Sequence, residues 1–195
     1  MMGQHDKRPV LIVDDEPDML DSLRSLLRYD FAVYTAGSGA EGIALLQKRE
    51  IHVVMTDQRM PEMTGVDFLK KAHSEHPEAV RVIFTGYADV GAVIDAINQG
   101  NVFRYVSKPW DAEQLIATLQ EAGEQYDLIL ERRRLLEDLK KNEEEWMAFE
   151  AQLQAERAGV LSPEAAARRE ELFRAGRELL GRLGEMLALP RSGLA

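Results

Sequence analysis

Val10-Leu-Ile-Val-Asp14-Asp15 is an apolar, β-rich run that ends at once in two carboxylates, and its pattern returns twice downstream. Val53-Val-Met-Thr-Asp57 ends in a carboxylate, and Tyr105-Val-Ser-Lys108-Pro109 in a lysine. In an open parallel α/β sheet the carboxyl ends of the strands share one edge, and ligands bind there. Three carboxylates and a lysine gathered on that edge would form a site for a divalent cation and a phosphoryl group.

Working outward from these runs, the chain alternates between strand-like and helix-like segments up to about residue 125. Asp18–Tyr29 carries Met19, Leu20, Leu23, Leu26 and Leu27 at helical spacing. Phe31–Ala36 reads as a second strand, and Ala40–Lys48 as a helix on Ile43, Ala44 and Leu45. Gly65–His76 is a helix closed by Pro77, Val80–Phe84 a strand, Asp89–Gln99 a helix stopped by Gly100, and Phe103–Val106 the fifth strand. This rhythm predicts a doubly wound, five-stranded parallel sheet with helices on both faces.

A further helix begins near Asp111, a candidate N-cap, and meets no breaker for more than forty residues. Leu115, Leu119, Ala122, Tyr126, Ile129 and Leu136 form its apolar stripe, continued out of phase by Leu139, Trp146, Phe149 and Leu153. The step from Leu136 to Leu139 predicts a local distortion of any supercoil. Gly159-Val-Leu breaks the pattern, and Ser162-Pro163-Glu164 starts a second helix lined by Leu172, Leu179, Leu183 and Leu187, with Phe173, Leu180 and Met186 beside them. The expectation is an αα-hairpin able to build a four-helix bundle across a dimer, with a disordered tail after Pro190. The domains expected are therefore 8–125, a coiled-coil extension over 126–158, and a last helix with its tail over 159–195.

The formal charge of −10 argues against a nucleic-acid-coating surface, and the absence of cysteine excludes disulfides, thiolate zinc and a cysteine nucleophile. Residues 1–125 hold 12 basic and 20 acidic side chains, and residues 126–195 hold 12 and 14. No run approaches the about 18 apolar residues of a membrane span, and the first residues lead into no signal-peptide core. A cytoplasmic protein with no membrane contact and no direct nucleic-acid binding is expected.

Taken singly, each site residue has a plain structural reading. Asp14-Asp15 is then a loop or cap, Asp57 a turn residue, Thr85 an ordinary strand end, and Lys-Pro a loop. Together, in order, at the ends of the first, third, fourth and fifth strands, they describe one chemistry. Clustered carboxylates are costly without a compensating cation, and an all-oxygen ligand set favours Mg²⁺. Asp15 and Asp57 would bind it directly and Asp14 through water. Asp57 is the candidate nucleophile toward phosphorus, Lys108 the phosphate partner, and the Thr85 hydroxyl a donor to modified Asp57. Gly86 lets the following loop approach closely.

Residues 8 to about 125 resemble the receiver domain of bacterial two-component response regulators, through Asp14-Asp15, Asp57 with Met60-Pro61 and Gly65, Thr85-Gly86, Tyr105 and Lys108-Pro109. The resemblance implies the flavodoxin-like fold and phosphorylation of Asp57 by a histidine kinase or phosphotransfer protein. It also implies Mg²⁺ on Asp15, Asp57 and the backbone carbonyl of Arg59, and a cis Lys108–Pro109 bond. Thr85 and Tyr105 would be a coupled switch pair, while Arg59 and Tyr87 would tune the phosphoryl lifetime. The chain is then a phosphoacceptor with at most slow autodephosphorylation.

The segment after 126 lacks the short helices and basic face of a helix-turn-helix unit. The histidines are His5, His52, His73 and His76, so these helices hold none for phosphotransfer or for a phosphodiesterase metal site. His52, His73 and His76 are read as solvated or structural. Two functions remain: a complete switch that dimerises and docks a downstream protein through its C-terminal helices, or the regulatory front end of a larger effector such as a cyclic-di-GMP phosphodiesterase. The capped second helix and its short tail favour the first. An aspartyl-phosphate hydrolase is weaker, because Arg59 stands where its acid/base carboxylate is needed.

Overall fold

The computed structural model describes residues 7–86, 102–155 and 163–188. The helix predicted over Asp89–Gln99, Tyr87, the break at Gly159, the Ser162 cap and the tail after Pro190 lie outside the described residues. The described chain forms two units, 1–127 and 128–195.

In the first unit, β1 (Arg8–Val13), β2 (Phe31–Ala36), β3 (Val53–Asp57), β4 (Val80–Thr85) and β5 (Arg104–Ser107) make one sheet in the order β2-β1-β3-β4-β5. All four pairings are parallel, with Val13 opposite Thr56, Asp57 opposite Phe84 and Thr85 opposite Ser107. The helices α1 (Pro17–Leu27), α2 (Gly39–Leu46) and α3 (Gly65–Glu75) fill the first three crossovers. Parallel strands need such connections, and strands covered on both faces read as unbroken apolar runs. Because β1 lies between β2 and β3, the strand order reverses beside β1. That reversal opens a crevice at the carboxyl ends.

Alternate side chains go to opposite faces. Leu11, Val13, Val54 and Ile83 enter a core with Ile43 and Leu46 of α2 and Phe68, Leu69 and Ala72 of α3. Val10, Ile12, Val53, Met55, Val82 and Phe84, of the other parity, are buried too, as are Leu23 and Leu27 of α1. Gly42 lets α2 settle onto this core, since a Cβ there would meet the Phe68 ring at 2.9 Å and Val13 at 3.1 Å.

The long helix α4 (Ala112–Ala155) starts as expected, with Asp111 accepting from the Gln114 N–H at 3.0 Å. Leu115, Leu119, Ala122 and Tyr126 are buried as the stripe predicts. In the second unit the stripe departs from the expectation, because Leu135 is 1% exposed and Leu136 46%. The phase shift therefore comes before Leu136. The inner face of this part of α4 reads Leu135, Leu139, Asn142, Trp146 and Phe149, with strict steps of four and three. A helix α5 (Pro163–Ala188) runs antiparallel to it. Arg182 pairs with Glu131 at 3.2 Å, Asn142 donates to the Leu172 carbonyl at 3.2 Å, and Arg168 pairs with Glu145 at 2.8 Å. The ring centroids of Trp146 and Phe173 lie 6.3 Å apart. This unit is a helical hairpin.

Phe68 fills the space between α2, α3 and the sheet, so Phe68→Ala should cost about 3–5 kcal/mol of stability. Urea unfolding followed by circular dichroism checks this as a lower midpoint at unchanged slope.

Candidate functional site

Asp14 follows β1, and its N–H is tied to the Ala36 carbonyl of β2 at 3.2 Å. Its Oδ1 accepts from the Glu16 N–H at 2.8 Å, a turn that brings Pro17 to the first position of α1. Only 1% of the residue is exposed, and Oδ2 is buried with no hydrogen-bond donor. Burial is the main reason the Asp14 carboxyl is pushed above its ordinary value, and the Asp57 charge adds to it; the Glu16 N–H and the Lys108 ammonium oppose the rise.

Asp57 closes β3 and is buried. Its Oδ1 receives the Lys108 ammonium at 2.5 Å, and its Oδ2 the Arg59 N–H at 2.6 Å. The same ammonium lies 3.8 Å from Asp14 Oδ2 and 4.6 Å from the centre of the Phe84 ring. Trp110 packs edge-on against Phe84 at 5.6 Å. One lysine thus faces two carboxylates over an aromatic floor. A charge-assisted bond of this kind is worth about 1.5–3 kcal/mol.

The loop after Asp57 is built to hold it. The Gln58 carbonyl accepts from Gly65 N–H at 3.0 Å, and Gln58 Oε1 accepts from Val66 N–H at 3.1 Å. Thr64 caps α3 by accepting from Asp67 N–H at 3.2 Å. A Cβ on Gly65 would collide with the Asp57 carbonyl, so glycine is required for α3 to start this close. Glu62 holds φ of 65°, a left-handed turn between Pro61 and Met63.

Lys108 is held by its own N–H on the Thr85 carbonyl at 2.8 Å, and the Lys108–Pro109 peptide is cis. Thr85 is buried at the end of β4, and its hydroxyl donates to the Gly86 carbonyl at 3.1 Å. Tyr105, on β5, is 44% exposed. The structure therefore gathers Asp14, Asp57, Lys108 and the Arg59 backbone at one place. Thr85 stands on the same edge with its hydroxyl engaged elsewhere, and Tyr105 points away from the interior. Asp15 is exposed at the rim, and Tyr87 lies outside the described residues.

Gln58, Phe84 and Trp110 carry no motif of their own in the sequence. What singles out Gln58 is its burial and its bond from the Val66 N–H, neither of which is readable in the sequence. Among the described residues no three acidic or histidine side chains converge as a ready metal cage. Mg²⁺ does not need one, since it keeps several waters and uses one or two carboxylates. The orphaned Asp14 Oδ2 and the facing Asp57 fit a hard cation.

A family model described as the response regulator receiver domain matches residues 10–120. The hydrogenase transcriptional regulatory protein HoxA of Cupriavidus necator is 40% identical over 126 residues, covering 65% of this chain and 26% of that protein. The chain spans about a quarter of the length of the first curated relatives it matches, 26% and 24%. A solved structure titled adenylate cyclase, from Rhodopirellula baltica, is 34% identical with a TM-score of 0.66, covering 68% of this chain and 98% of that one. The signal receiver domain of an HD domain-containing protein from Pseudomonas fluorescens Pf-5 is 30% identical with a TM-score of 0.62, covering 68% and 96%.

The raised Asp14 value means that the charged form is disfavoured in the folded chain. Asp14 then subtracts from stability once the pH exceeds the unfolded value of 3.8, and nothing is subtracted below it. Metal-free Asp14→Asn should be more stable than the parent at pH 7 by on the order of 1 kcal/mol, with the gain shrinking as the pH falls towards 4. Thermal melts in chelator at the two pH values check both the sign and the trend.

Proposed function

The chain belongs to the response regulator receiver domain family, and we propose that it is a switch phosphorylated on Asp57 that acts through its C-terminal helices. A receiver is a phosphoacceptor and implies a histidine kinase as donor. The observation that carries the assignment to Asp57 is its pairing with Lys108 at 2.5 Å, beside a buried Asp14 carboxylate whose Oδ2 lacks a donor.

An Asp57 oxygen attacks the phosphorus of a phosphohistidine on the kinase or a phosphotransfer protein. The P–O bond forms as the P–N bond breaks, and the bonding pair leaves with the imidazole, which is reprotonated from solvent. Lys108 exchanges Asp57 for a phosphoryl oxygen. Asp15, Asp57 and the Arg59 carbonyl would hold Mg²⁺, with Asp14 reaching it through water, and the ion would supply positive charge toward the phosphoryl oxygens. The Thr85 hydroxyl leaves the Gly86 carbonyl for the phosphoryl group, and Tyr105 turns inward behind it. Arg59 and Tyr87 set the lifetime of the acyl phosphate against slow hydrolysis.

The proposed output is a change in how the helices pair, with 8–125 as receiver, 126–158 as coiled-coil extension and 159–195 as the last segment. Among the described residues of the hairpin only Leu135 and Leu172 are buried apolar side chains, while Leu136, Met147, Phe173 and Leu180 stay exposed. Two helices with so thin a core gain stability by pairing with a second hairpin in a homodimer, and a downstream protein then reads the bundle. Among the described residues no helix is long and apolar enough to cross a membrane.

A second reading makes this chain the regulatory front of a longer effector, a cyclic-di-GMP phosphodiesterase for example. It is supported by the quarter-length match to curated relatives and by the likeness to the receiver of an HD domain-containing protein. An open reading frame that continues past Ala195 into a catalytic domain would decide for it.

Incubation with phosphoramidate and Mg²⁺ should add one phosphoryl group by intact mass. Asp57→Asn should add none, and Lys108→Ala should react at least about tenfold more slowly. Labelling that survives Asp57→Asn, or that is unaffected by chelation of the metal, would refute the assignment. Light scattering of the same samples should return the dimer mass.

A further inference from the structure

At the edge of the sheet opposite Asp57, a second group of charged and aromatic side chains closes on the root of α4. Arg8, the first residue of β1, places its guanidinium as a fork on Asp127, with Nη1 donating to Oδ1 at 3.1 Å and Nη2 to Oδ2 at 2.8 Å. A Cβ on Gly123 would run into the Arg8 side chain, so this glycine is the slot through which Arg8 crosses the helix. Arg8 Nη1 also lies 3.4 Å from Nδ1 of His52. The His52 ring stacks on Tyr126 at 4.0 Å and 12°. Tyr126 donates to Glu50 Oε1 at 3.2 Å, and the same oxygen lies 3.7 Å from His52 Nε2.

The sheet side of this group is fixed. The His52 backbone donates to the Pro9 carbonyl at 3.1 Å and accepts from Val80 N–H at 2.9 Å. The helix side consists of Tyr126 and Asp127, the last two residues of the first unit. The phosphoacceptor chemistry uses none of these residues.

We propose that Arg8, Gly123 and Asp127, with His52 stacked on Tyr126, form a proton-gated lock that holds the root of α4 to the sheet. The lock is closed with neutral His52, because Arg8 can donate to Nδ1 only when that nitrogen carries no proton, which leaves the ring proton on Nε2 towards Glu50. A doubly protonated ring sets an N–H against the Arg8 N–H. It then turns towards the Glu50 or Asp127 carboxylate, loses its stack on Tyr126 and frees the helix.

The surrounding charges agree with this direction. Burial first, and Arg8 second, hold His52 below its ordinary value, against the opposite pull of Glu50 and Asp127. Asp127 is lowered mainly by its bond from Arg8 and stays charged. Tyr126 is pushed up to about 12 by burial, then by Glu50 and more weakly by Glu78 and Asp127, and stays neutral. A lowered histidine leaves the lock intact above the unfolded value of 6.5 and weakens it as the pH falls below 6.5.

The chain has no cysteine, so two can be introduced and spin-labelled at the exposed positions Lys70 and Glu124, both in the first unit. The doubly labelled full chain is diluted into unlabelled chain and its distance distribution measured by double electron–electron resonance at pH 7.5 and 5.5. A narrow distribution at pH 7.5 should at least double in width at pH 5.5. His52→Gln should keep one width at both pH values. Asp127→Asn, a change at a side chain 59% exposed, should be broad already at pH 7.5. Circular dichroism melts verify that each variant is folded. An unchanged width in the parent, the same broadening in His52→Gln, or a narrow Asp127→Asn at pH 7.5 would overturn the lock.

Discussion

Two carboxylates at the ends of neighbouring strands share one ammonium. Asp14 after β1 and Asp57 at the end of β3 both face Lys108, at 3.8 and 2.5 Å. Their mutual repulsion, together with the burial of Asp14, makes the arrangement costly, and a folded chain keeps it only where the surrounding structure leaves no alternative. Here the sheet order places β1 and β3 side by side with their carboxyl ends together. The cis Lys108–Pro109 turn lies one residue beyond β5. Gly65 lets α3 begin against the Asp57 carbonyl. The strand order and Gly65 place Asp14 and Asp57 where an incoming phosphoryl group and its cation would relieve the imbalance.

Much of this was legible in the residues. Apolar runs ending in carboxylates or lysine located the strand ends, because a parallel strand covered on both faces has no polar side to show. The Asp111 cap and the stripe through Leu115, Leu119, Ala122 and Tyr126 were equally plain, since a helix packed on a sheet has to keep its period. The stripe failed where the helix leaves the sheet. Leu135 and Leu136 are chemically identical neighbours, and only the position of α5 decides which of them is buried. Long-range partners left no local trace either. Arg8 and Asp127 lie 119 residues apart. A glycine inside a helix reads as a weak point until the side chain filling its slot is seen.

His52 makes the same point. Its reading as a structural residue agrees with its stack on Tyr126, yet the sequence could not reveal that its two nitrogens face opposite charges. The receiver thus carries polar clusters at both edges of the sheet. One is suited to phosphate, and the other grips the last turn of helix before the hairpin. The hairpin itself keeps Phe173 and Leu180 exposed, and two helices with two buried apolar side chains among their described residues are thinly stabilised. The proposed chemistry at Asp57 and the proposed pairing of these helices are connected by one continuous element, α4.

The central claim is that the state of Asp57 sets how the C-terminal helices of two chains pair. It is tested most directly by a single spin label at Leu136, introduced as Leu136→Cys, with the distance across the dimer measured before and after beryllofluoride and Mg²⁺. Trp110 fluorescence, read in a Trp146→Phe background, would report that the receiver has bound the phosphoryl mimic. A shifted distance distribution is expected in the bound state. An unchanged distribution in a receiver that has demonstrably bound the mimic would contradict it.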